Sequence, residues 1–293
     1  MKFIDIGANL THESFSSDLT AILEDARKEG VIHVILTGTD LQTNLNAIKL
    51  TKKYSSFLSS TVGFHPHNAN NVDDAAFESA IELLKQDSVV AIGETGLDYN
   101  RNFSSKKAQL KVFEQHLELA TCVNLPLFLH QREAHSDFLN LLKKYRHKVT
   151  GGVVHCFTGN ENALSEYLDL DMYIGITGWI CDERRGTDLQ SIVKHIPSDR
   201  LLIETDSPYL LPRTIKPKPK SRRNEPRHLP EVAKTIAEHT LNEVNEIANI
   251  TSRNAVKLFN LPIENITPPL NVQQRNNLFS VKRPIQVISV FCI

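Results

Sequence analysis

Five short apolar runs in this sequence each lead at once into a histidine or a carboxylate. His65 follows Ser60–Gly63, within Gly63-Phe64-His65-Pro66-His67, and Glu94 follows Val89–Gly93. His130 follows Leu127–Leu129, His155 follows Gly152–Val154, and Asp206 closes the stretch Ile203-Glu204-Thr205-Asp206. The first run carries Asp5 and leads to Asn9. Each residue alone has a plain structural explanation: a histidine after a strand usually serves a hydrogen bond, and an aspartate before Ser-Pro sets a turn. With 12 His and 34 Asp plus Glu among 293 residues, five such coincidences are not the ordinary expectation. Imidazoles and carboxylates from separate strands converge where a divalent cation is held. Three imidazoles and two carboxylates without cysteine suit Mg²⁺, Mn²⁺ or Zn²⁺. Such an ion lowers the pKa of a bound water and polarises a phosphoryl or carbonyl oxygen. The chemistry expected is metal-dependent hydrolysis.

Something must bring those run ends together. Apolar, β-branched runs (Phe3–Ile6, Val34–Thr37, Ser60–Gly63, Val89–Gly93, Leu127–Leu129, Gly152–Val154, Met172–Ile176 and Leu201–Ile203) alternate with amphipathic stretches. Residues 14–29 place Phe15, Leu19, Ile22 and Leu23 on one helical face, and 41–53, 74–86, 105–123, 135–145, 160–169 and 187–195 behave alike. Apolar strands alternating with helices predict parallel strands covered by helices. Eight such units close into a (β/α)8 TIM barrel, which keeps its chemistry at the C-terminal strand ends. The competing open doubly wound sheet usually carries a glycine-rich first turn, whereas Gly7-Ala8-Asn9-Leu10 follows the first strand here.

Composition narrows the function classes. Lys plus Arg number 33 against 34 Asp plus Glu, which excludes a generally basic nucleic-acid coat but not a local patch. Cys122, Cys156, Cys181 and Cys292 form no Cys-x-x-Cys pair, which excludes a zinc ribbon or disulfide framework. Asp5 interrupts the N-terminus early and no apolar run reaches the roughly 18 residues of a membrane span. A cytoplasmic protein is therefore expected, with a nuclear fraction only in a nucleated host. After the eighth run come a Pro/Lys/Arg-rich loop and helical patterns over 229–239 and 242–259. A barrel domain over 1–261 is expected, followed by a tail, 262–293, that ends in VISVFCI and has no assigned role.

The stretches GFHPH (63–67), AIGETGLDYNRNFS (91–104), LPLFLHQREAH (125–135), GGVVHCFTG (151–159), LLIETDSPYLLP (201–212) and RRNEP (222–226) together resemble the TatD family of metal-dependent deoxyribonucleases. The similarity runs in order from residue 2 to about 261 and is nearest to the founding branch. It implies a metallo-dependent hydrolase barrel that uses Mg²⁺ to trim single-stranded DNA from the 3′ end, and in some members RNA, in DNA repair or degradation. It implies that Glu94, His130 and His155 are metal ligands, that Asp206 binds metal and handles the proton of the attacking water, and that His65 lies near the scissile phosphate. Catalytic roles are thus expected for Asp206, His65 and Glu94. Many relatives begin Asp-x-His-x-His where this chain has Asp5-Ile6-Gly7-Ala8-Asn9. Fewer fixed ligands favour Mg²⁺, which keeps several waters.

Substrate contacts are expected from Arg132, two residues beyond His130, and from Arg222, Arg223 and Asn224 in RRNEP. Guanidinium groups bind phosphate oxygens regardless of base. An ion pair of Arg132 with Glu133 or Asp137 is the plain alternative. Phe64, Tyr99, Phe103, Trp179 and Tyr209 lie beside strand ends, where aromatics either pack loops or stack on unpaired bases. The expected partner is DNA and the expected state monomeric. Hydrolysis of a small amide, ester or lactone, and a non-catalytic scaffold, are the alternatives.

Overall fold

The computed structural model describes residues 1–264. Of the expected tail, all but its first three residues, including Cys292 and the VISVFCI heptad, lies outside the described residues. The strands are β1 (Phe3–Ala8), β2 (Val31–Leu36), β3 (Leu58–Val62), β4 (Val89–Asp98), β5 (Leu127–Arg132), β6 (Gly152–Val154), β7 (Tyr173–Ile176) and β8 (Leu201–Ile203). They pair in chain order, each parallel to the next. The seam between β1 and β8 closes just beyond β8: Asp206 N–H donates to Gly7 O (2.9 Å) and Asn9 N–H to Ser207 O (2.7 Å). The eight parallel strands therefore form a nearly closed (β/α)8 barrel, as expected.

Asp5 belongs to this seam. Its carboxylate accepts from Thr205 N–H (2.9 Å) and Thr205 Oγ1 (2.6 Å) and is fully buried. Burial pushes its pKa up to about 8.

Helices α1 (Leu19–Lys28), α2 (Leu41–Lys53), α3 (Asp74–Leu83), α4 (Lys106–Cys122), α5 (His135–Tyr145), α6 (Glu161–Asp169) and α7 (Thr187–Ile192) fill the crossovers, and α8 (Leu229–Thr240) and α9 (Val244–Phe259) complete the fold. Capping sets several helix starts. Asp40, Asp73, Ser105 and Asn160 each accept a first-turn N–H, which satisfies a donor that the helix itself leaves open. The helix expected over 14–29 is instead a 3-10 turn at Glu13–Phe15 followed by α1. Ser14 N–H donates to His12 Nδ1 there, so the first turn is anchored by a side chain outside the helix. Apolar packing has two layers. A large cluster lies between sheet and helices, and a smaller one joins Ile4, Ile6, Phe128 and Val153 to Ala255 and Phe259 of α9. Among the described residues no helix is long and apolar enough to cross a membrane.

β4 departs from the expected boundary. Instead of ending before Glu94 it continues to Asp98, with an irregular register against β5 between Ile92 and Thr95. Gly96 explains the continuation. Its φ is +145°, and a Cβ there would overlap His130 O, so only glycine lets β4 run this close to β5.

Buried His33 on β2 offers a stability test. Its Nε2 meets Ser59 Oγ at 2.8 Å, its Nδ1 has no hydrogen-bond partner among the described residues, and burial pushes its pKa down to about 4. The folded ring stays neutral where the unfolded ring would take a proton near pH 6.5. Its contribution is therefore complete above pH 6.5 and is lost as the pH falls toward 4. His33→Gln keeps a polar group for Ser59 and does not titrate. Denaturant melts should show the stability gap between wild type and variant narrowing by about 2–3 kcal/mol from about pH 7 to about pH 4.5; a constant gap would contradict this assignment.

Candidate active site

At the C-terminal strand ends lies a cavity of about 610 Å³, lined by His65, Glu94, His130, His155 and Asp206 among others. The five residues expected from the run ends thus share one wall-to-wall space. Glu94 is its centre. The Oε1 atom of this buried carboxylate faces His155 Nε2 at 2.7 Å, His130 Nδ1 at 3.0 Å and His65 Nε2 at 3.3 Å.

The outer nitrogens of two of these rings meet further carboxylates. His130 turns Nε2 to Asp98 Oδ2 (3.3 Å), and His155 turns Nδ1 to Glu204 Oε2 (3.3 Å). Each of these imidazoles therefore presents one nitrogen to the centre while a carboxylate holds the other, the arrangement that fixes tautomer and orientation in histidine metal ligands. His65 differs. Its Nδ1 accepts His67 N–H at 3.1 Å, so the neutral ring carries its proton on Nε2, facing Glu94. His67, which also lines the cavity, bridges to Asp98 Oδ2 at 2.9 Å. His135 turns away from the centre to Glu166 (2.6 Å).

Charge in this space is coupled. Burial alone would raise the Glu94 pKa, but electrostatic attraction to His155 above all, and hydrogen bonds from His130 and His155, hold it well below the usual carboxylate range. Burial opposes protonation of His155 and His130, yet their carboxylate neighbours outweigh it and raise both. Burial pushes His65 down to about 4, so it is neutral near pH 7. Burial raises Asp206 to about 7, although His155 opposes the shift. Asn9 Nδ2 donates to Asp206 Oδ1 (3.0 Å), and Asp206 itself takes a left-handed φ of +52° at the β8 end.

The donor set fits a divalent cation. Candidate ligand atoms of His65, Glu94 and His130 lie within 4.8 Å of one another, and His155 Nε2 lies 2.7 Å from Glu94 Oε1. His130 and His155 are the imidazoles whose inner nitrogen is left for a cation by a carboxylate on the outer one. A cation here would compete with protons for the same lone pairs. Sequence reasoning missed Asp98 and Glu204 as partners of the imidazoles. Glu204 is fully buried, and its Oε1 accepts Cys156 N–H at 2.6 Å. A Cβ on Gly7 would overlap Glu204 Oε2, so the absence of a side chain at position 7 makes room for this carboxylate.

The expected substrate residues divide. Arg132 lines the cavity and is exposed, while Glu133 and Asp137 are engaged by Asn100 and Tyr99 instead. Residues 222–224 do not line it. Arg223 instead pairs with Asp18 (2.7 Å) and Glu225 (2.9 Å) and lies over the Phe15 ring. Asn224 is buried and donates to Thr205 O at 2.9 Å. Both tie the loop after β8 to the barrel, a structural use of the RRNEP motif. Tyr209 and Trp179 line the mouth of the cavity, and exposed Phe103 packs edge-on against His67.

The family model for TatD-related DNases matches residues 4–260. The chain is 46% identical over 258 residues to the 3′-5′ ssDNA/RNA exonuclease TatD of Edwardsiella piscicida, which spans 88% of this chain and 99% of that protein. It is 45% identical to the protein of the same name from Yersinia pseudotuberculosis, over 88% of this chain and 99% of the relative. Among solved structures, a TatD family hydrolase from Entamoeba histolytica superposes with a TM-score of 0.82 at 31% identity, covering 88% of this chain and 98% of that one. The TatD homologue YjjV of Escherichia coli gives 0.81 at 28%, covering 89% and 98%. The chain belongs to the TatD-related DNase family, a family of metal-dependent hydrolytic nucleases.

Proposed function

We propose that this member of the family removes nucleotides from the 3′ end of single-stranded DNA, and of RNA, with a divalent cation held by Glu94, His130, His155 and Asp206. The observation that carries the proposal is the Glu94 carboxylate oxygen approached by three imidazoles on the floor of an open cavity. The names of the bacterial relatives support the substrate and the polarity. When bound, the cation polarises a phosphoryl oxygen and lowers the pKa of a bound water. Mg²⁺ suits the site best, because Gly7 offers no side-chain ligand and Asn9 is spent on Asp206.

The chain's own residues supply the proton transfers and the positioning. Asp206, steadied by Asn9, accepts the proton of the attacking water. His65, with its proton on Nε2, donates to the leaving oxygen. Arg132 draws the phosphate backbone to the rim, while Tyr209 and Trp179 offer faces for unpaired bases. The same reading makes the protein a monomeric, cytoplasmic enzyme, partly nuclear in a nucleated host, that acts in DNA repair or degradation.

Asp206→Asn tests the assignment. It keeps the shape and the hydrogen bond with Asn9 but cannot take a proton. Turnover of a single-stranded oligonucleotide with Mg²⁺ should fall about 100-fold or more while the thermal midpoint stays within a few degrees. A loss smaller than about tenfold would assign the proton acceptor elsewhere.

A further inference from the structure

Of the three arginines that line the cavity, Arg185 is paired with Asp182, as several arginines elsewhere are paired with carboxylates. Arg200 meets Asp171, Arg213 meets Glu183 at 2.7 Å, and Arg223 meets Asp18. Arg101 and Arg132 line the cavity, are exposed, and make no side-chain ion pair among the described residues. Acidic neighbours are present in the chain, but they are taken: Glu133 accepts Asn100 Nδ2 at 2.6 Å, and Asp137 accepts the Tyr99 hydroxyl at 2.8 Å.

The backbones bearing the two arginines are held firmly. Arg132 pairs in register with Asp98 at the end of β5, and its carbonyl accepts Tyr99 N–H at 2.9 Å. Arg101 N–H donates to Asp98 Oδ1 at 3.0 Å, and Asn102 Nδ2 clamps the same turn through Tyr99 O at 2.7 Å. One carboxylate, Asp98, thus anchors the Arg101 turn through Oδ1 and faces His130 through Oδ2. Two exposed guanidinium groups, carried on backbones anchored beside the reacting centre, offer hydrogen-bond donors to an oxyanion.

We propose that Arg101 and Arg132 form a subsite for a second phosphate of the strand, the one adjoining the phosphodiester that is cut. The ligand is a backbone phosphodiester of single-stranded nucleic acid, bound without regard to base. The inference rests on the nuclease reading above and adds a dependence on length: a substrate with one phosphodiester cannot fill the subsite, and a trinucleotide can.

The test compares the full chain with Arg101→Gln, Arg132→Gln and Arg253→Gln, the last removing an exposed charge from α9 as a control. Substrates are thymidine 5′-(p-nitrophenyl phosphate) and the oligonucleotides dT3 and dT6, all with Mg²⁺. For Arg101→Gln and Arg132→Gln, kcat/KM on dT3 and dT6 should drop about tenfold or more, and the drop on the nitrophenyl ester should stay within about threefold. Arg253→Gln should match wild type throughout. Binding of a phosphorothioate dT6 in Ca²⁺, followed by fluorescence anisotropy, should weaken in parallel. It should also lose close to one phosphate contact's share of its salt dependence, a slope of about 0.7 for single strands. Equal losses on ester and oligonucleotides, or no loss on either, would overturn the subsite. No cleavage of any substrate by wild type would instead overturn the nuclease reading beneath it.

Discussion

Exchanging Glu94 for glutamine is expected to reduce single-turnover cleavage on the order of 10³-fold while the barrel stays folded. The reason is geometric as well as electrostatic. One oxygen of Glu94 is faced by His65, His130 and His155, and its negative charge raises the proton affinity of His155 and His130. Glutamine keeps the volume and one acceptor oxygen but removes the charge that a cation would require. The barrel should survive, because the imidazoles keep their other carboxylates, Asp98 and Glu204. Circular dichroism melts alongside the cleavage assay separate the two effects. A folded Glu94→Gln protein that cuts within tenfold of wild type would mean that the centre lies elsewhere in the cavity.

The second large effect concerns a residue placed to act through another. Glu204→Gln should weaken cation binding about 10–100-fold, because an amide no longer anchors the proton on His155 Nδ1 and leaves the ring free to turn or change tautomer. Gly7→Ala should act in the same direction by pressing a methyl group onto Glu204 Oε2 while the Cys156 N–H holds the other oxygen, Oε1, in place. Titration with Mn²⁺, with free ion counted by electron paramagnetic resonance, measures the affinity without any turnover. Cleavage at saturating Mn²⁺ should recover to near wild type if Glu204 only positions His155. Unchanged Mn²⁺ affinity in Glu204→Gln would remove it from the site.

Much of the fold was legible because its signals are local. Apolar runs of three to five residues alternate with amphipathic helices, and that rhythm survives in the paired strands. The five polar run ends were legible too, since barrel closure brings strand ends together whatever the helices do. Asp98 was harder to find, because the continuation of β4 past Glu94 depends on how closely two backbones approach at Gly96. Glu204 stands two residues before Asp206 in one acidic stretch. Which of the two carboxylates backs a histidine and which meets Asn9 is decided by the space above Gly7 and by the turn at Asp206. Arg223 shows the opposite failure. A cluster of basic residues looks like a substrate patch, but the partner of Arg223 is Asp18, on the far side of the sequence.

The most direct test of the account is cleavage of one single-stranded DNA oligonucleotide labelled in turn at each end, with Mg²⁺, with EDTA, and with His155→Ala. The account predicts a 5′-labelled ladder that shortens progressively and a 3′ label released at once as mononucleotide, both only with Mg²⁺ and intact His155. Cleavage that persists in EDTA or in His155→Ala, or a folded protein with Mg²⁺ that leaves both labelled strands whole, would contradict it.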